Sequence, residues 1–356
     1  MARIRVLIAD DSPLARALLR EFLEGEEDMD VVGEAENGRQ AVELARRLRP
    51  DIITMDLEMP GMHGLEAIET IMCSRAVPIL VVSSVADAQN ALDAVGRGAL
   101  EVVSKPGYSP EEARQFVDKV RMLAGVSVIT RLRPRKFPGG PPPVCFGPPA
   151  APPSDRTGFE RVVAIAASTG GPQALGQILP ALPVDFPCPV VVAQHIADGF
   201  AGGMASWLAG ICRLPVRLGI DGEPLCAGTI YVSPSERHMT VTASRRIALL
   251  ERAPLDIFHP SCNTLLDSVA EVFGPRAIGV ILTGMSSDGV RGLGRIRERG
   301  GITLAQDEAT SVIFGMNRVA IESGIVQRVL PVEGIAEALL RLAGTCSNPG
   351  KVHVTA

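Results

Sequence analysis

No stretch of the 356-residue chain stays apolar for the roughly 18 consecutive residues that a membrane-spanning helix requires. The longest uninterrupted runs, such as Val162 to Ala167 and Val190 to Ala193, are far shorter, so no membrane insertion is expected. The first apolar stretch, Val6 to Ala9, is cut off by Asp10 and Asp11 and cannot serve as the apolar segment of a secretory signal; a cytoplasmic location is expected. Paired cysteines are missing too. Cys73, Cys145, Cys188, Cys212, Cys226, Cys262 and Cys346 are scattered singly, which gives no sign of a disulfide framework or a cysteine zinc site. The five histidines show no ligand-like spacing. A large basic surplus is absent as well: residues 1–125 carry 14 basic and 22 acidic side chains, residues 126–160 carry 5 and 2, and residues 161–356 carry 16 of each. That balance excludes nucleic acid as a partner class and, with no basic recognition helix, a transcriptional regulator.

What is present is a globular composition, 46% hydrophobic and 21% charged, over a length that favours two domains. Nine of the 28 prolines fall within residues 131–157, which reads as a semi-stiff linker. The expected limits are 1–125 for a first domain, 126–158 for the linker, 159–345 for a second domain and 346–356 for a tail.

Before the linker, short apolar runs alternate with helical patterns. Ile4 to Ala9, Val31 to Gly33, Ile52 to Met55, Val77 to Val82 and Leu100 to Val103 read as strands of a parallel sheet covered by helices. Functional groups in such a sheet gather at the carboxyl ends of strands. The acids fall there: Asp10 and Asp11 end the first strand and Asp56 the third, while Ser83 ends the fourth and Lys105 follows the fifth. Three converging carboxylates call for a hard divalent cation such as Mg²⁺. With that cation and the Lys105 ammonium to offset charge, Asp56 can accept a phosphoryl group and Ser83 can hydrogen-bond it. Taken singly, each of these residues is a weak signal, since an Asp after a strand is usually a turn or helix cap. Together, Asp10-Asp11, Asp56 with Met59-Pro60-Gly61, Ser83-Ser84 and Lys105-Pro106 resemble the receiver domain of two-component response regulators. The resemblance covers about residues 3–123 and implies a five-stranded sheet in the order 2-1-3-4-5, with a sensor histidine kinase as phosphodonor. One departure is Val102, where receivers often place an aromatic switch residue.

After the linker, Arg161 to Ala167 reads as a buried strand running into Ser168-Thr169-Gly170-Gly171-Pro172 and then a helix. Ser168 is thereby expected to sit exposed at a helix N-terminus, where backbone N–H groups suit a phosphate or a developing oxyanion. From local sequence alone, a plain helix cap is the favoured reading of Ser168 or Thr169. The run Val190 to Ala193 ends in Gln194-His195, and Ala277 to Leu282 leads through Gly284-Met285 to Asp288. Three strand ends thus offer Ser, His and Asp, the parts of an activated serine nucleophile. His195 as a structural histidine and Asp288 as a cap for a helix beginning near Gly289 remain the bland alternatives.

The order Ser, His, Asp and the lack of a Gly-x-Ser-x-Gly elbow set this domain apart from the common serine hydrolases. Instead, Ala167 to Pro172, Gln194-His195, Arg237-His238-Met239, Gly279 to Met285 with Asp288-Gly289, and Phe314-Gly315-Met316 resemble the catalytic domain of chemotaxis protein-glutamate methylesterases. That resemblance, over about residues 160–342, implies a mostly parallel α/β hydrolase domain. It also implies hydrolysis of glutamate γ-methyl esters on the cytoplasmic domain of methyl-accepting chemoreceptors, with deamidation of receptor glutamines in some members, and no cofactor for the esterase step. Ser168 matches the nucleophile, His195 the base and acid, and Asp288 the orienting acid; Thr169 and Met285 match flanking positions, and the Met285 amide is assigned to the oxyanion hole. Two departures, Phe258-His259-Pro260-Ser261-Cys262-Asn263 in place of His-Arg-Pro-Ser-x-Asp, and Asn317 where proline is common, are expected to leave the triad untouched. The alternative is a receiver joined to a catalytically inactive hydrolase-like module that binds signalling proteins.

Overall fold

A computed structural model describes residues 3–84, 88–128, 157–253 and 256–344. The linker expected at 126–158 falls almost wholly outside them, as does the tail 346–356. The described residues form two compact units, each built on its own parallel sheet.

The N-terminal sheet comprises β1 (Ile4–Ala9), β2 (Met29–Ala35), β3 (Ile52–Met55), β4 (Ile79–Ser83) and β5 (Glu101–Ser104), in the order β2-β1-β3-β4-β5, with every pairing parallel. This is the order that the receiver resemblance implies. β3 and β4 are buried along their whole length, as strands covered on both faces must be. β2 is longer than its apolar core Val31 to Gly33 because it lies at the sheet edge and alternates, with Met29 and Val31 buried and Asp30 exposed. β4 starts at Ile79 rather than Val77, since Pro78 brings no N–H to the ladder. Helices α1 (Pro13–Glu24) and α5 (Pro110–Ala124) pack together, and α2 (Gly38–Leu48), α3 (Gly64–Ser74) and α4 (Ala88–Arg97) pack in a row. Ser12 caps α1 by accepting from the Ala15 amide at 3.3 Å, ahead of Pro13 in the first turn. This fixes how the chain leaves β1 just where Asp10 and Asp11 lie.

The second sheet has seven strands in the order β14-β13-β12-β6-β7-β9-β8, again with parallel pairings. They are β6 (Val162–Ala167), β7 (Val190–Gln194), β8 (Val216–Leu218), β9 (Ile230–Val232), β12 (Ala277–Ile281), β13 (Ile302–Gln306) and β14 (Arg328–Leu330). A separate antiparallel hairpin joins β10 (Arg237–Val241) to β11 (Ile247–Glu251). Helices α8 (Cys262–Phe273) and α9 (Val290–Glu298) pack on each other, with α10 (Met316–Glu322) against α9; α6 (Gly171–Ile178) packs with α11 (Val332–Gly344), and α7 (Ala201–Ile211) follows β7 in the chain. β6, β7 and β12 are fully buried and apolar but for Gln194 at the end of β7, and their adjacency at the sheet centre brings three carboxyl ends side by side. No helix among the described residues is long and apolar enough to cross a membrane.

Candidate functional site

In the N-terminal unit, Asp10, Asp11 and Asp56 each turn one carboxylate oxygen into a cluster within 4.8 Å. Asp10 and Asp56 are buried and Asp11 is exposed. The Lys105 ammonium bridges Asp10 Oδ2 and Asp56 Oδ2 at 2.8 Å each. Asp56 Oδ1 accepts from the Leu57 amide at 2.8 Å, and Asp10 Oδ1 accepts from the Ser12 amide at 2.9 Å. Burial pushes the Asp56 carboxyl above its ordinary range and the neighbouring Asp10 charge adds to this, outweighing the pull of Lys105. Burial draws the Lys105 ammonium down, but its two carboxylate partners prevail and hold it above its usual value. Ser83 is fully buried, and its Oγ has no hydrogen-bond partner among the described residues. Three carboxylates against one ammonium leave a surplus of two negative charges when all are ionised. An all-oxygen donor set of that charge fits Mg²⁺.

A residue that sequence reasoning missed holds this loop. Arg16 is buried and donates to the carbonyls of Asp10, at 2.7 Å, and Asp11, at 3.2 Å, while its guanidinium pairs with Glu34 and Glu36 at 3.1 Å. Val102, in the switch position, is a buried strand residue.

In the C-terminal unit, backbone hydrogen bonds lock the three strand ends together. His195 N donates to Ala167 O at 3.0 Å, Leu282 N to Ala166 O at 2.9 Å, and Ser168 N to Thr283 O at 3.1 Å. The Gln194 amide clasps the Ser168 and His195 carbonyls at 2.8 Å each. Gly171 is required beside it, because a Cβ there would overlap Gln194 Oε1. Ser168 is 8% exposed, not the open residue expected at a helix N-terminus: Gly284 packs against it, and a Cβ there would lie 2.6 Å from Ser168 Cβ.

His195 Nε2 and Asp288 Oδ2 are 2.9 Å apart. Asp288 also accepts from the Cys262 amide at 2.6 Å, the Asn263 amide at 3.0 Å and Ser261 Oγ at 3.3 Å. Burial raises the Asp288 carboxyl, but the bonds from His195 and from the Cys262 and Asn263 amides outweigh it and hold the group below the usual carboxylate range. An ionised carboxylate only accepts, so Nε2 carries the proton and Nδ1 is left as the basic nitrogen. Among the described residues Ser168 Oγ forms no hydrogen bond to the imidazole. Asp288 does cap a helix, yet not the one following Gly289: its carboxylate sits at the N-terminus of α8, a placement no local pattern announces.

The sequence departures replace no triad residue, but the first of them lies against the triad. Phe258 stacks on the His195 ring, with centroids 5.2 Å apart and planes 10° from parallel, and Cys262 Sγ lies 3.5 Å from His195 Nε2. Asn263 supplies one of the amides on Asp288, and its side chain accepts from Gly292 N at 2.8 Å. The 256–261 segment is held by buried His238, which bonds Asp256 Oδ2 at 2.9 Å through Nε2 and accepts from Ser261 N at 2.9 Å through Nδ1. The motif containing His238 was visible in the sequence, but this partnership needs the fold. Asn317 is buried and donates to Gln306 O at 2.9 Å and Ser311 Oγ at 2.7 Å, away from the triad contacts. Thr169 is buried, and its carbonyl accepts from Thr283 Oγ1 at 2.9 Å. The Met285 side chain is 62% exposed, so it is not core packing, and its amide has no hydrogen-bond partner among the described residues.

Comparison with known proteins adds to this geometry. The family model for CheB methylesterase matches residues 163–339, and that for the response regulator receiver domain matches residues 6–118. The chain is 59% identical over 347 residues to a Paramagnetospirillum magneticum protein named protein-glutamate methylesterase/protein-glutamine glutaminase 3, covering 96% of this chain and 97% of the relative. An Anaeromyxobacter dehalogenans protein named protein-glutamate methylesterase/protein-glutamine glutaminase 2 is 44% identical over 342 residues, with 95% and 97% covered. The crystal structure of the Thermotoga maritima CheB methylesterase catalytic domain is similar at a TM-score of 0.50 and 37% identity, covering 51% of this chain and 98% of that one.

Proposed function

This chain belongs to the CheB methylesterase family, and on that premise we infer that it is a protein-glutamate methylesterase governed by phosphorylation of its receiver domain. The observation that carries the reading is the imidazole of His195, fixed by Asp288 through Nε2 at the strand end beside Ser168.

In the proposed mechanism, Ser168 Oγ attacks the γ-ester carbonyl of a methylated glutamate while His195 Nδ1 takes its proton. Asp288 stabilises the resulting imidazolium, and the unpaired Met285 amide is assigned to the oxyanion. Collapse of the tetrahedral intermediate expels methanol, which receives the proton from Nδ1. Water then attacks the acyl-enzyme by the same route and releases the glutamate carboxylate with Ser168 restored. A glutamine side chain follows the same steps with ammonia as the leaving group, the second activity in the relatives' names. Thr169 supports the site through its carbonyl contact with Thr283. The substrate surface is assigned to the cytoplasmic domain of methyl-accepting chemoreceptors.

In the receiver, Asp56 is the proposed phosphoryl acceptor and a sensor histidine kinase the donor. Asp10, Asp11 and Asp56 would hold Mg²⁺, which neutralises charge on the transferred group. Lys105 shifts from bridging two carboxylates to pairing with the phosphoryl oxygens, and the unpartnered Ser83 hydroxyl supplies a hydrogen bond. The proposed domain limits are 1–125 and 159–345, joined by 126–158.

Methanol release from methylated receptor membranes tests the assignment. Ser168→Ala and His195→Ala should each lower turnover by on the order of 10⁶, as expected where the residues act as a unit. Normal turnover by Ser168→Ala would require another nucleophile.

A further inference from the structure

The triad histidine and aspartate have a third close neighbour that the proposed hydrolysis does not use. Cys262 Sγ, His195 Nε2 and an Asp288 carboxylate oxygen lie within 4.8 Å of one another. The sulfur is 3.5 Å from Nε2, and Nε2 is 2.9 Å from Asp288 Oδ2. Bond lengths to tetrahedral zinc would put sulfur and nitrogen about 3.6 Å apart, and nitrogen and oxygen about 3.3 Å apart. The sulfur is therefore already at ligand spacing, and the oxygen needs to move by only about 0.4 Å once the Nε2 proton is gone. One thiolate, one carboxylate and one neutral imidazole around a divalent cation sum to zero charge, which suits a site where Cys262 and Asp288 are both buried.

We propose that His195, Cys262 and Asp288 form an inhibitory site for a thiophilic divalent cation of the Zn²⁺ class. This rests on the esterase reading of the same residues. Binding displaces the thiol proton of Cys262 to solvent. The Nε2 proton also leaves, and a proton is taken up at Nδ1, so one proton is released in all. Metal on Nε2 thus imposes the Nδ1–H tautomer, and the nitrogen that should accept the Ser168 proton is already protonated. The cation stops the esterase without touching the nucleophile. The sequence hides this site, because its ligands are 67 and 26 residues apart and lie outside any zinc-like spacing.

The test uses the full chain in excess Mg²⁺, to occupy the receiver carboxylates, and reads binding and turnover separately. Equilibrium dialysis should show one Zn²⁺ held per chain, and Co²⁺ in its place should give a thiolate-to-metal charge-transfer band. Ser168→Ala, inactive as an esterase, should keep both signals. Cys262→Val should abolish the cobalt band and raise the Zn²⁺ concentration for half-inhibition by more than about tenfold, since even an outer-shell partner contributes 10- to 100-fold to metal affinity. A cobalt band retained in Cys262→Val, or equal zinc inhibition of that variant and the parent, would overturn the site. A parent that binds zinc at Cys262 but releases no methanol when free of metal would instead overturn the esterase reading, leaving the metal site intact.

Discussion

Replacing Asp288 with asparagine removes one charge and one acceptor from a heavily bonded side chain of the catalytic unit. The carboxylate serves four donors: His195 Nε2, the Cys262 and Asn263 amides, and Ser261 Oγ. An amide has one oxygen, so its NH₂ must face a donor in either orientation. If the NH₂ takes the Oδ2 place it faces both His195 and the Cys262 amide, so Nε2 becomes the acceptor, the proton moves to Nδ1 with no base left for Ser168, and the Cys262 amide is stranded. If it takes the Oδ1 place, the Asn263 amide is stranded instead, and in either orientation the stranded amide costs about 1–3 kcal/mol. In both cases the negative charge that stabilises the imidazolium is gone. Loss of the correct tautomer in a Ser-His-Asp arrangement lowers turnover by about 10⁴, roughly 5.4 kcal/mol of transition-state stabilisation. At about 2–4 °C per kcal/mol for a domain of this size, the melting temperature should fall by roughly 2–12 °C. Methanol release well below the melting point separates the two effects. Turnover within tenfold of the parent, in a variant that melts a few degrees lower, would show that Asp288 is a helix cap and not the partner of a catalytic base.

Asp288 also sets a pH dependence: its carboxyl titrates below the ordinary range in the folded state, so its stabilising contribution is complete above about pH 4 and is lost as pH falls through the lowered value. Asp288→Asn should flatten the acid limb of a urea-unfolding stability curve, and an unchanged limb would count against this. Asp56 has the opposite sign, because a raised carboxyl makes the ionised form costly to the fold. Asp56→Asn should therefore raise the receiver's melting temperature at pH 7 in chelator, with the gain fading toward pH 4, while abolishing stimulation by a phosphodonor; continued stimulation would reject Asp56 as the acceptor. Gly171→Ala should cost about 1–3 kcal/mol through overlap with Gln194 and lower turnover by unclasping the Ser168 and His195 carbonyls, and an unperturbed melting curve would refute that packing. Phe258→Ala removes an aromatic stack of about 0.5–1.5 kcal/mol from His195, so methanol release should slow roughly two- to tenfold, and unchanged release would make the stack incidental.

Much of this protein is determined by local sequence because parallel strands buried on both faces must be continuous apolar runs. Ile4–Ala9, Ile52–Met55 and Val162–Ala167 are visible as such, and the polar residues that end such runs mark the functional edge of each sheet. Asp56, Ser168 and His195 stand out for that reason. Local sequence does not carry side-chain meetings across the fold. Asp288 reads as a cap for its own helix, yet its carboxylate binds α8, because the sheet order sets β12 beside β6 and α8 packs over both. Phe258 and Cys262 look like departures in a remote loop until His238 and Ser261 draw that loop onto the imidazole. Arg16 is one helical arginine among several until β2 brings Glu34 to its guanidinium and the chain reversal after β1 turns two carbonyls toward it. Periodicity and punctuation are local and fix which residues lie at which strand end. Contacts between residues 26 to 93 positions apart depend on how strands are ordered and helices packed, and only the tertiary structure decides those.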